Sequence, residues 1–499
     1  MQYLLADDST TGVTDVMYDL VIRDPLGPVT NAICSLSSLH DTRLRIAHGQ
    51  LHPEDPHAHD IAQKLYHDTV IQLSKKAGKF TAVEAIASLH LLSFWLFCGG
   101  GGDWASALGM AGDWLMSTEV MKDGADPVEV LEKWPPVQRF AAQAILWFDI
   151  LGSCSLQQSP RFIKLYTKMS DRNQRLNMAS SVGQPSILFG QRKLAGTPSE
   201  LMNQVMGCDD DIMFALAKIA DLAAWKEQQV AAQTLSVLEL VERARGIEQE
   251  LKSTKVILSP IATSGPARPS AASIPTPAQP TQPGAAGFSK AAPPVWDPYN
   301  VGSVVPQTGE EQGLNPGWNV DPSRTRSTSI NSPSPPINSI GPIGPTGRAT
   351  SASSSSVTGA PGPLSIITTA EPVTLRQLSS NVFREAAFLF LHSVISGPEP
   401  NVKEIKDSVD ELINSICAIP STDLDRSLVF PITIGGCLAA TPEHRSFFAE
   451  RLAAQGSAVG NGSQAKLLME TVWKRRDTGE KNVCWRDTMK TLQFDLLLV

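Results

Sequence analysis

The sequence predicts an all-α fold, a multi-helix bundle of helical hairpins interrupted by a long disordered Pro/Ser-rich linker. Three observations predict it. Apolar residues recur three and four positions apart in both outer parts of the chain, as they do along one face of a helix. Alternating apolar and polar runs, the mark of half-buried strands, are scarce. Residues 260–363 hold about 20 of the 36 prolines, Ser, Thr, Gly and Ala fill most of the rest, and 351–356 read SASSSS. Such a stretch cannot bury enough apolar area to offset its chain entropy. The expected organisation is 1–255 as the N-terminal part of a helical domain, 256–370 as the linker and 371–499 as the C-terminal part of the same domain.

The helices follow in order. Val29, Ala32, Ile33, Leu36 and Leu39 share helical spacing, and so do Ala62, Tyr66, Val70 and Leu73. Residues 83–98 (VEAIASLHLLSFWLFC) form a mostly apolar run. It falls short of the ~20 residues that cross a bilayer and carries Glu84 and His90, so it reads as a buried core helix. Ile212, Leu216, Ile219, Ala220 and Ala223 repeat the pattern behind Asp209, Asp210 and Asp211, whose charge suits a helix N-terminus. Beyond the linker, Val382, Phe383, Ala386, Ala387, Phe390 and Val394 form one stripe. Ala465, Leu468, Met469, Val472 and Trp473 form another. Thr441 before Pro442 reads as an N-cap with proline at the first helical position. Residues 428–438 (LVFPITIGGCL) read as a buried helix whose Gly435-Gly436 pair admits a neighbouring backbone, expected from the N-terminal part.

Composition narrows the function classes. The chain has 499 residues, 42% apolar and 18% charged, which is ordinary for a globular protein. A net charge of −8 opposes free-standing binding to nucleic acid. Seven cysteines without a CxxC pair suit a reducing compartment. Residues 1–8 show neither a basic segment nor an apolar core, so no secretory signal is expected.

Candidate chemistry is sparse. Six of the nine His lie at 40, 48, 52, 57, 59 and 67, and His57-Ala58-His59-Asp60 has the look of a metal-hydrolase HxH. It sits in a polar loop, HPEDPHAHD, and reads as solvated. The run Gly99 to Gly102 lacks the Lys-Ser/Thr of a phosphate loop and reads as a helix-to-helix turn. There is no GxSxG elbow, and Cys437, with no His nearby, reads as a small core residue. Lys474-Arg475-Arg476 reads as a solvated helix end, with nuclear import or partner contact as the functional alternative. Trp95, Trp104, Trp114, Trp147, Trp225, Trp473 and Trp485 read as core anchors, some of which could line a ligand cavity. Ser259-Pro260, Thr276-Pro277, Ser332-Pro333, Ser334-Pro335 and the Ser327 to Ser329 run behind Arg324 and Arg326 are candidate phosphorylation sites. No residue is assigned a catalytic, cofactor-binding or metal-binding role.

Several segments together resemble a known family. Trp147-Phe148-Asp149-Ile150-Leu151-Gly152-Ser153, followed by Ser159-Pro160-Arg161-Phe162, is similar to a recurrent segment of the fungal-specific transcription factor regulatory domain. Gly99 to Gly102 with Trp104, Leu108, Ala111 and Leu115 is similar to that family's glycine and tryptophan pattern, with its His-Leu-x-Gly-Ala core altered to Ala107-Leu108-Gly109-Met110-Ala111. Gly207-Cys208-Asp209 through Trp225-Lys226 resembles the helix closing its N-terminal half. In the C-terminal part the resemblance rests on Phe430-Pro431-Ile432 through Gly436-Cys437, then Arg445 and Phe447-Phe448. It continues through Trp473 to Asp477 (WKRRD), Cys484-Trp485-Arg486-Asp487 and the apolar end Phe494 to Val499.

The resemblance implies a regulatory domain of a transcription factor, acting in the nucleus with a cytoplasmic pool allowed. Its implied partners are proteins of the transcription machinery or a co-regulator, and a small-molecule effector; no cofactor, membrane or catalytic role is implied. Members usually carry a binuclear zinc cluster built from CxxC pairs. Here the cysteines stand at 34, 98, 154, 208, 417, 437 and 484, no two within 15 residues, and residues 1–25 are acidic rather than basic. Specific DNA contact is therefore expected only through a partner or a module other than these residues. The alternative reading is a helical scaffold or metabolite-binding protein derived from the family.

Overall fold

Residues 13–181, 207–254, 374–419, 423–454 and 460–499 are described by a computed structural model of the chain. Every regular element among them is helical. The 256–370 segment and its Ser/Thr-Pro and Arg-x-Arg sites lie outside the described residues.

The chain begins with α1 (Val13–Arg23), α2 (Pro28–Ala47), α3 (Asp60–Lys75) and α4 (Ala82–Phe97). Pro28 occupies the first turn of α2, where its missing N–H costs nothing. The Ser35 and Thr42 hydroxyls on α2 donate to the Ala62 and Ala58 carbonyls at 2.7 and 3.1 Å, which fastens the start of α3. Helix α4 is the apolar run, and it is buried on nearly every side because α2, α3, α5 (Trp104–Met116) and α7 (Pro136–Leu156) surround it. A capping box starts it. Thr81 caps the helix, and Glu84 accepts from the Thr81 amide at 2.9 Å and from Lys76 Nζ at 2.7 Å. Burial pushes the Glu84 carboxyl up, but the bonds from Lys76 and Thr81 outweigh it and hold the group below the usual glutamate range. No helix among the described residues is long and apolar enough to cross a membrane.

A 3-10 turn (Glu119–Met121) and α6 (Pro127–Lys133) lead to α7, which is buried from Ala141 to Ser155. Then come α8 (Ile163–Ser181), α9 (Asp210–Ala231) and α10 (Val237–Ser253). Asp209 is the N-cap residue of α9, with Asp210 and Asp211 in the first turn, as the acidic start predicts.

The C-terminal helices are α11 (Leu375–Ser396), α12 (Lys403–Cys417), α13 (Val429–Leu438), α14 (Pro442–Ala453), α15 (Gly462–Asp477) and α16 (Trp485–Thr491). Helix α11 packs on α9 and α10. Residues of helices from α1 through α16 contribute to one apolar cluster that includes Trp104, Phe162, Phe214, Phe390 and Phe430. Thr441 caps α14, its hydroxyl accepting from the His444 amide, with Pro442 at the first position.

All of α13 is buried, and Pro431 stands in its first turn, where the helix forfeits no hydrogen bond. The glycine pair differs from expectation. The atoms nearest to its missing Cβ positions are side-chain atoms of the C-terminal part. A Cβ on Gly435 would stand 2.5 Å from Phe448 Cζ and 2.9 Å from Leu412 Cδ2; one on Gly436 would stand 2.1 Å from Met469 Sδ. The neighbours are therefore side chains of α12, α14 and α15. The missing Cβ atoms make room for a phenyl ring and a thioether, and α11, α12, α14 and α15 all pack on α13.

These contacts predict the response to added volume. Gly435→Ala drives a methyl into a rigid ring and should cost about 1–3 kcal/mol. Gly246 lies exposed inside α10 with nothing near its missing Cβ, so Gly246→Ala should stabilise by about 0.5–1 kcal/mol through backbone entropy. Urea unfolding of both variants checks this; equal effects would contradict the packing of Phe448 on α13.

Candidate functional site

The residues that carry the family resemblance converge at the buried ends of helices. Helix α7 presents Asp149 inside the core, and Gln157 ends it in a left-handed conformation (φ 57°) that turns the chain into Ser159-Pro160-Arg161-Phe162. Asp149 Oδ1 accepts from the Arg161 amide at 3.1 Å, and Oδ2 from the Phe162 amide at 3.2 Å and the Tyr166 hydroxyl at 2.9 Å. One carboxylate thus serves the amides that enter α8. Burial raises its pKa from the ordinary 3.8 to about 6, against the pull of those three bonds. Burial and the adjacent Asp149 also push the Tyr166 phenol well above its usual value. The Arg161 side chain reaches back to α5, donating to Asp113 Oδ1 at 2.5 Å and to the Gly109 carbonyl at 3.1 Å. Gly152 leaves room for the Trp104 ring, which a Cβ would meet at 3.0 Å.

The glycine run 99–102 is the expected helix-to-helix turn, between α4 and α5. Its filling is not legible in the local sequence. The chain end lies on it: the Leu497 amide donates to the Gly100 carbonyl at 2.9 Å, and Trp104 Nε1 donates to the Asp495 carbonyl at 2.7 Å. Asn461 Nδ2 bonds the Leu497 carbonyl at 2.6 Å. Gly100 takes φ 85°, and a Cβ there would stand 2.6 Å from that of Asn461. Leu496, Leu497 and Leu498 are fully buried. The space a phosphate would need is occupied by leucines.

One buried arginine, Arg486, joins the C-terminal helices to α7, and a second, Arg476, ties C-terminal segments to one another. Arg486 is buried, its guanidinium 4.4 Å from the Trp485 ring centroid and 4.9 Å from that of Phe390. Its Nε donates to the Cys154 carbonyl at the end of α7, at 3.0 Å. Arg476 donates to the carbonyls of Cys437, Pro398 and Val483, the last two at 3.1 Å. This corrects the reading of residues 474–476 as a solvated basic end. Only Lys474 is exposed; Arg475 pairs with Glu480, and Arg476 is spent on buried carbonyls. Burial lowers the pKa of Arg476 and Arg486 from the ordinary arginine value.

The remaining candidates fall as follows. His57 is exposed and bonds Asp60 at 2.8 Å, which raises its pKa, while burial lowers that of His59. Among the described residues no group of three or more His, Cys, Asp or Glu is placed to hold a metal ion. Cys437 is a core residue whose thiol burial pushes up to about 12. Trp95, Trp104, Trp114, Trp147 and Trp485 are buried anchors; Trp225 and Trp473 pack on the core partly exposed, and Trp134 is a further anchor the sequence reading omitted. That reading also assigned no role to Asp149, Tyr166 or Arg486. The available signal was a carboxylate inside the apolar run WFDIL, which has to find donors once buried.

The arrangement is that of a helical module whose buried polar side chains tie distant helices together. The chain belongs to the fungal-specific transcription factor domain family, whose profile matches residues 5–281 and 344–499. It is similar to the trichothecene biosynthesis transcription regulator TRI10 of Fusarium sporotrichioides, 29% identical over 129 residues, 25% of this chain and 30% of that protein. It is also similar to the ustiloxin B cluster transcription factor ustR of Aspergillus flavus, 25% identical over 142 residues, 27% of this chain and 24% of that one. The transcription factor dibT of Pestalotiopsis microspora is 33% identical over 105 residues, 21% of this chain and 16% of that one. These matches span less than a third of each relative's length. The family and these relatives are transcription regulators, not enzymes. No solved structure matches the chain.

Asp149 sets a measurable pH dependence. Its folded pKa exceeds the unfolded one, so the folded state holds the proton more tightly and loses stability as pH rises from 3.8 to about 6. Asp149→Asn has no such titration and leaves one amide unmet, at a cost of about 1–3 kcal/mol where the wild-type carboxyl is protonated. The wild type's margin over Asp149→Asn should therefore narrow across that window in chemical denaturation. A margin that widens with pH would show that the hydrogen bonds, not burial, dominate the carboxyl.

Proposed function

We propose that this chain is the regulatory part of a nuclear transcription regulator, one that sets transcriptional output through a protein partner or a small-molecule effector. The observation that carries this reading is the family match on both sides of the Pro/Ser-rich segment, at 5–281 and 344–499. The names of two relatives, which refer to trichothecene biosynthesis and to the ustiloxin B cluster, make genes of a biosynthetic cluster its leading targets. DNA contact belongs to a partner or to another module, since a net charge of −8 opposes phosphate binding. The test is to tether the chain to a heterologous DNA-binding module above a reporter gene in a fungal nucleus. Reporter output should shift severalfold from that of the module alone. An unchanged reporter, with the tethered chain shown to be folded and nuclear, would end this reading.

We further propose that 1–255 and 371–499 fold as one helical domain and that 256–370 tether its two parts. The bonds Arg486 to Cys154, Lys226 to Val394 and Trp104 to Asp495 support this. Expressed separately, the two parts should be insoluble or partly folded, and co-expression should recover a soluble complex. Two parts that are each monomeric with a sharp thermal transition would refute it.

A further inference from the structure

Helix α1 is apolar on two sides. Val16 and Leu20 enter the core, where α1 rests on α2 and α7, and Met17 Sδ lies 3.4 Å from Nε2 of His90 on α4. Tyr18 and Ile22 face outward, 66% and 61% exposed, and Leu26 in the turn that follows is 83% exposed. The Asp24 amide still donates to the Leu20 carbonyl at 3.2 Å, so the helical course runs on past Arg23, and the three side chains recur four residues apart as one outer ridge. Gln72 Nε2 of α3 donates to the Leu26 carbonyl at 3.2 Å, which fixes the turn in place close to Ile71, itself 52% exposed. A surface helix with its core stripe already buried is ordinarily polar on its outer side. A second apolar stripe there, on an anchored turn, is the mark of a protein contact.

The charges beside the ridge say which protein. Asp19 and Arg23 lie one turn apart, 3.6 Å from each other and 64% and 76% exposed. Lys75, exposed one turn past Gln72, stands at the Arg23 end, and the Asp24 carboxylate is folded against Gly27 at the start of α2. The Asp19–Arg23 row is neutral overall, acidic towards one end and basic towards the other, so it selects neither an acidic nor a basic partner. It is complementary to itself turned end for end. An antiparallel two-fold through Ile22 sets Tyr18 of one copy against Leu26 of the other, Ile22 against Ile22, and Asp19 against Arg23 twice.

We propose that the Tyr18, Ile22 and Leu26 ridge is a docking surface for a second copy of this chain, paired antiparallel across α1. Apolar burial supplies the attraction, and the two ion pairs fix the direction, since exposed pairs add little strength. The ridge is of the few hundred Å² that a monomer exposes and falls short of the ~800 Å² per partner of a standard interface, so the pairing is reversible, with micromolar affinity. Paired copies bring two regulatory parts to one place; the pairing itself stands apart from the function proposed above.

The test is sedimentation velocity on the full chain from about 1 to about 100 µM, a range that brackets such an affinity. The mass should rise from one chain towards two. Ile22→Asp places like charges face to face on the two-fold and should hold the chain monomeric throughout, with an unchanged thermal transition because Ile22 is outside the core. Asp19→Arg alone should weaken pairing severalfold, and adding Arg23→Asp should restore it, since the double exchange returns opposite charges to both contacts. A chain that stays monomeric at the highest concentration, which would leave the ridge to a different protein, overturns the proposal. So does a dimer that Ile22→Asp does not dissociate, or a double exchange no better than Asp19→Arg.

Discussion

A helix leaves its last carbonyls without partners, and in this protein several helices end against other helices, where water has limited access. Each such end is met by a side chain from far along the sequence. Arg486 donates to Cys154 at the end of α7, and Arg384 to Leu251 at the end of α10. Lys226 donates to Val394 at the end of α11. Trp473 and Arg476 donate to Gly436 and Cys437 at the end of α13. Four of these five donors are cations, which also complement the negative end of the helix dipole. Removing Arg486 would strand the buried Cys154 carbonyl, at a cost of about 1–3 kcal/mol, whereas Leu251 and Gly436 keep second donors in Thr254 and the Ala439 amide.

The same constraint appears in mirror image at α8. There the unserved groups are amides, and the donor-seeking partner is a carboxylate: Asp149 accepts from the Arg161 and Phe162 amides. At these ends buried charge follows helix polarity, with Asp149 at amides and Arg486, Arg476 and Lys226 at carbonyls. Arg486, Arg476 and Lys226 thus bond backbone carbonyls, while Arg384 also pairs with Glu385.

Both flanks of the Pro/Ser-rich segment contribute to these ties, so the family's characteristic residues act as one set. The aspartate of WFDIL and the arginine of the last helix's WRD serve helix ends, the arginine of SPRF ties α8 to α5, and the tryptophans pack in the core.

What the sequence determined by itself was the periodic part of the structure. The stripes at 29–39, 62–73, 212–223, 382–394 and 465–473 all lie in helices, and Thr441-Pro442 begins one, because spacing and capping act within a turn or two of chain. The apolar run at 83–98 was legible as a core helix for the same reason, and its capping box at Thr81 and Glu84 could have been read there too. The tertiary structure decided what each break in those patterns was for. Gly435 and Gly436 receive Phe448 and Met469 instead of a distant backbone, Gly100 receives the chain end, and Arg476 points inward from a stretch that looked solvated. None of these follows from local spacing. Which donor meets which helix end depends on how the helices converge, and that is set by burying one shared apolar surface drawn from residues hundreds of positions apart.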